Sequence, residues 1–114
     1  MATKIEWFEA KKSEIQSDIL MTKGNENLTF QQQCLYELRS FCSETILNHK
    51  SVINKEKWTS KATCIEELET SQEKIEQLLY GTKKCNFDFQ SSFLEVKEMY
   101  VRHAISLFRS LDCL

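Results

Sequence analysis

Proline is absent from all 114 residues, where average usage near 5% would place about six, and glycine occurs only at Gly24 and Gly81. Sheets and long loops need these residues for their turns, whereas long helices do without them, so the scarcity points to an all-α chain. No apolar run approaches the roughly 20 residues that cross a bilayer. The first residues carry Lys4, Glu6, Glu9, Lys11 and Lys12, unlike a signal peptide. A sustained basic stripe is missing too, and the formal net charge is −2, which argues against nucleic acid as a partner because clustered Lys and Arg supply most of that affinity. Cys34, Cys42, Cys64, Cys85 and Cys113 include no Cys-x-x-Cys pair, and their odd number and wide spacing suit reduced, packing thiols in a cytoplasmic or nuclear protein. Hydrophobic content of 41% and aromatic content of 11% are enough for a packed fold.

What is present is helical periodicity. Thr3-Lys4-Ile5-Glu6 is a capping pattern, and Ile5, Phe8, Ile15 and Ile19 follow on one face before Gly24 offers a left-handed stop. Thr29-Phe30-Gln31-Gln32 repeats the capping pattern. Leu35, Leu38, Cys42, Thr45, His49 and Val52 then recur at alternating steps of three and four. A third such pattern, Thr63-Cys64-Ile65-Glu66, precedes a stripe of Ile65, Leu68, Ile75 and Leu79, with Gly81 as its expected stop. Asn86 and Asp88 offer caps for a last helix with two apolar stripes, Phe89-Phe93-Val96-Tyr100-Leu107 and Leu94-Val101-Ala104-Phe108-Leu111.

The expectation is a single α-helical domain over 1–114, built as helical hairpins or a four-helix bundle with coiled-coil character. Its helices are placed at about 4–23, 29–53, 60–80 and 88–112. The stripes ending at Val52 and beginning at Ile65 do not share a face, since the 30 residues from Leu35 to Ile65 leave about 120° of rotation at 100° per residue. That favours a turn between Asn54 and Ser60 over one continuous rod of about 75 Å.

Little here can carry chemistry. His49 and His103 are the only imidazoles, and neither has a His, Asp or Cys at i+3 or i+4 to build a metal face with it. The cysteines lack a recognisable arrangement of His or Asn around them. No catalytic residue, cofactor or metal is expected, and the chain is read as non-enzymatic. Asn27-Leu28-Thr29 fits the glycosylation tripeptide, which matters only in a secreted chain. Glu66, Glu67, Glu69, Glu73 and Glu76 make one helix face acidic, after a lysine group at Lys50, Lys55, Lys57 and Lys61; this reads as a solvated surface.

The aromatics Trp7, Phe8, Trp58, Phe87, Phe89, Phe93, Tyr100 and Phe108 exceed what a self-contained bundle of this size needs. The expected function is therefore protein–protein interaction: a helical oligomerisation or scaffold subunit of a larger intracellular complex, in a style that suits cytoskeletal or chromosome-associated assemblies. Its expected partner-binding residues are Phe89, Phe93, Val96, Tyr100, Val101, Leu107, Phe108 and Leu111, packing against helices of a homo-oligomer or a hetero-complex. Two alternatives are a secreted four-helix signalling protein, to be tested by thiol titration, and a helical small-ligand-binding protein or enzyme, which needs a pocket of convergent polar groups.

Overall fold

The computed structural model describes residues 3–56, 60–85 and 88–111, and the side chains of 82–91 lie outside that description. Four α-helices and no strand are found among the described residues: α1 (Lys4–Thr22), α2 (Thr29–Ile53), α3 (Lys61–Cys85) and α4 (Asp88–Arg109). They gather into two compact units, Met1–Lys50 and Ser51–Leu114.

Helix α1 starts as its sequence predicts, with the Thr3 hydroxyl accepting from the Glu6 amide at 3.3 Å. The helix stops before Gly24: Lys23 is already extended (φ −61°, ψ 134°), and Gly24, at φ +80°, serves the turn that follows, closed by Asn25 N–H donating to Thr22 O at 3.2 Å. The start of α2 differs from expectation. Asn25 caps a short 3₁₀ turn, Glu26–Leu28, by accepting from the Asn27 amide. That turn leads directly into α2, so the Thr29 hydroxyl donates to the Glu26 carbonyl at 2.8 Å instead of capping. An asparagine earlier in the chain, itself a strong cap, has taken the role assigned to Thr29.

In the first unit, Phe8, Ile15 and Ile19 of α1 are buried, as are Leu38, Cys42 and Thr45 of α2, with Leu35 and His49 half-buried. The expected stripes of both helices are thus the buried ones. The Phe8 ring meets Phe41 at 6.4 Å, and Trp7 packs edge-on against Phe8 at 4.9 Å. Arg39 also donates to Gln16, so rising numbers on α1 meet falling numbers on α2 and the pair is antiparallel. Burying Phe8, Ile15 and Ile19 stabilises this hairpin by about 1.5–3 kcal/mol per side chain.

The second unit opens at the end of α2. Glu56 N–H donates to Ser51 O at 3.0 Å and Lys55 N–H to Val52 O at 3.1 Å, the paired bonds of a left-handed C-terminal cap. Lys55 fills its left-handed position at φ 56°. The chain therefore breaks after Ile53, and the continuous rod is not formed. Ser60 caps α3 by accepting from the Thr63 amide at 3.1 Å, so helix begins ahead of the expected Thr63 cap. Gly81 does not stop α3. It lies within a helix that runs on to Cys85, at the cost of about 1 kcal/mol that an interior glycine carries. The Asn86 cap lies outside the described residues, and Asp88 is already helical.

Helices α3 and α4 pack against each other. Val52, Cys64 and Phe108 form a buried cluster, with Ile65, Leu68 and Leu111 packed against it. Lys61 Nζ donates to Leu111 O at 2.7 Å and Arg109 pairs with Glu69, so the two helices run antiparallel. No buried side-chain nitrogen or oxygen among the described residues lacks a hydrogen bond.

Candidate partner-binding face

Helix α4 is apolar around most of its circumference, and its burial shows which part its own fold uses. Leu94, Val101, Ile105 and Phe108 form one buried face, and Tyr100, Ala104 and Leu107 a second. At about 100° per residue these two faces cover roughly half the helix. Of the residues expected to bind a partner, Tyr100, Val101, Leu107 and Phe108 are thus core, with Phe108 sealed at 1% exposure by its neighbours. Leu111 is half-buried against the same cluster. Phe89 belongs to α4, but its side chain lies outside the described residues.

Two of the eight remain available. Val96 is 39% exposed and Phe93 is half-buried. Met99, 41% exposed, joins them, and exposed His103 follows one turn on. At about 100° per residue Phe93 falls between Tyr100 and Ala104, on the second buried face, whereas Val96, Met99 and His103, separated by about −60° and +40°, form one strip along the outer side of α4. Charges rim it: Glu95 is exposed, and Arg102 pairs with Glu98 one turn away. An apolar strip with a charged rim is the composition of a binding patch.

Met99 was the residue missed by periodicity. Its signal was the three-residue step from Val96, hidden because Val96 was grouped with Tyr100 and Leu107, about 20–40° further around the helix. Other large apolar side chains stay exposed elsewhere: Leu78 and Tyr80 on α3, Tyr36, Leu47 and Ile53 on α2, and Leu20, Met21 and Phe30 flanking the α1–α2 connection. Arg39 covers one face of Tyr36, its guanidinium 4.8 Å from the ring centroid.

Cys34, Cys42, Cys64 and His49 are each partly or fully buried. Burial pushes the Cys42 thiol up to about 11, against the opposing pull of Lys12 and Lys11. Burial also raises Cys64 and Cys34, with Glu67 and Glu37 respectively adding to it. All three are free thiols, protonated at neutral pH and so poor nucleophiles. His49 is shifted down by loss of water, with Glu9 pulling the other way. Among the described residues no three His, Cys, Asp or Glu side chains come together as a metal site. A shallow depression along α3, lined by Thr63, Glu66, Glu67, Thr70, Ser71 and Lys74, lies on the flank of a single helix and encloses nothing. No helix among the described residues is long and apolar enough to cross a membrane.

Comparison with protein-family models, with curated proteins and with solved structures finds no match to this chain.

Proposed function

We propose that the chain is a non-enzymatic protein–protein interaction subunit that docks helices of a larger assembly through the outer side of α4. The observation that carries this reading is the Val96–Met99 pair, left exposed on a helix whose other two apolar faces are already occupied, with half-buried Phe93 at its edge. Free thiols at Cys34, Cys42 and Cys64 accord with an intracellular, reducing setting.

Magnitudes set the size of the interface. Full burial of such side chains is worth about 1.5–3 kcal/mol, so the two-fifths still exposed on Val96 and Met99 offer about 1 kcal/mol each. Even with matching surface from a partner, that sum only meets the lower end of the roughly 4–15 kcal/mol that association costs. A lasting complex therefore recruits more apolar surface from the same unit, where Leu78 and Tyr80 remain exposed on α3. The test is a photo-crosslinking residue placed in cells at position 99 or, as a control, at exposed Glu67. Discrete crosslinked products at 99 that disappear with Val96→Glu support the reading. Identical products from both positions, unaffected by Val96→Glu, would end it.

A further inference from the structure

We infer that the helix docked on the outer strip is the α4 of a second copy of this chain, laid antiparallel to the first. The pairing sets Val96 of each copy on Met99 of the other, and Glu95 beside the other's Arg102. It rests on the reading of that strip as a docking face and gives the face its occupant.

The strip has the spacing of a helix-pairing seam. Ser92, Val96, Met99 and His103, all exposed, recur at steps of four, three and four residues, the alternation by which two helices keep one line of contact. Val96 and Met99 are its apolar centre. The charges along one edge are divided about that centre: Glu95 stands before it and Arg102 after it, about −40° and −60° around the axis from Met99. An edge that is acidic at one end and basic at the other complements its own copy when the copy is reversed.

Symmetry and register follow. A two-fold axis between antiparallel helices keeps this edge of one copy beside the same edge of the other. With the axis level with the midpoint of Val96 and Met99, two equivalent Val96–Met99 layers form, and each Glu95 lies about 3 Å along the axis from the other copy's Arg102. Arg102 already holds Glu98 one turn back, and the five N–H donors of a guanidinium serve both carboxylates. The next registers that keep the seam lie seven residues away in either direction. They set Arg102 beside Arg102 or Glu95 beside Glu95, and put Ser106 or Ser92 where Val96 would meet Met99. A parallel pair turns the charged edges away from each other and leaves both charges unanswered. Two apolar layers and two exposed ion pairs make a small interface, so the dimer is weak, dissociates on dilution and loosens in high salt.

Sedimentation equilibrium of the full chain, taken to millimolar concentration at low and high salt, measures the dimerisation constant. Glu95→Arg turns both intermolecular pairs into arginine against arginine, and Arg102→Glu turns both into glutamate against glutamate. Each variant alone lowers the constant about tenfold, roughly threefold for each of the two contacts. An equimolar mixture of the two variants restores it, because every arginine at 95 or 102 then faces a glutamate. Val96→Glu, which alters neither pair, abolishes the dimer through its apolar centre. If Arg102→Glu lowers helicity by giving up Glu98, Glu95→Arg and Val96→Glu decide alone. A wild type that is monomeric at every concentration overturns the proposal. So does a dimer unaffected by either charge reversal, or a mixture that dimerises no better than its components. If position 99 then still yields discrete crosslinks in cells, at a mass other than twice the chain, the docking face stands and a different protein occupies it; if those crosslinks fail as well, both readings fall.

Discussion

Replacing Phe108 by alanine removes the largest side chain of the second unit's buried cluster, one that is only 1% exposed and packed with Val52 and Cys64. Loss of a fully buried phenylalanine costs about 3–5 kcal/mol, the transfer free energy of the ring plus the cavity it leaves. Domains of this size have about 5–15 kcal/mol in total, so the variant retains fold with a much reduced margin. With a urea slope of about 2 kcal/mol per molar, the unfolding midpoint falls by about 2 M. The assay is urea denaturation followed by helical circular dichroism, with Val96→Ala as the matched surface substitution. Val96 is 39% exposed, and its truncation should move the midpoint by no more than about 0.3 M. A Phe108→Ala midpoint that moves no further than that of Val96→Ala would refute the division of α4 into buried faces and an outer strip.

Three further outcomes follow from the same geometry. His49 has its folded-state pKa below the ordinary 6.5, so the unfolded chain binds the proton more readily; stability is full above 6.5 and declines as pH falls below it. His49→Gln should flatten that part of the stability profile, and an unchanged slope in denaturation from pH 7 to 5 would count against the burial of His49. Thiol labelling under native conditions should modify half-buried Cys34 well before Cys42 and Cys64, and mass mapping that finds Cys42 first would contradict its complete burial. Ser60→Ala should cost about 1 kcal/mol, or about 4 °C in melting temperature, and Thr63→Ala only a few tenths, because Ser60 accepts the Thr63 amide; the reverse order in a thermal melt would restore Thr63 as the cap.

The parts of the fold that were legible in the sequence are those that a single periodicity decides. Phe8, Ile15 and Ile19 on α1, and Leu38, Cys42, Thr45 and Val52 on α2, are buried where their spacing put them. The break before α3 was legible because two stripes 120° apart cannot serve one straight helix. Helix ends were harder, since several residues compete for each cap. Asn25 displaced Thr29 and Ser60 displaced Thr63, in each case by starting the helical turn earlier. Gly81 shows that a glycine permits a left-handed stop without imposing one. On α4 the pattern identified an amphipathic helix, yet the split between core and exposed outer surface was not readable. Tyr100, Leu107 and Val96 lie within about 40° of one another around the axis, and only the packing of the folded chain leaves Val96 outside.

Methionine oxidation tests the outer strip of α4 most directly, because the chain carries its own reference. Met21 is 82% exposed on α1 and Met99 is 41% exposed within the strip. Peroxide pulses applied to the purified chain and to intact cells, read by mass spectrometry, give the ratio of the two sulfoxides in each setting. Docking of the strip predicts that Met99 oxidation falls several-fold relative to Met21 in cells, and that Val96→Glu restores the ratio seen for the purified chain. An equal ratio in both settings would mean that the outer side of α4 faces only water.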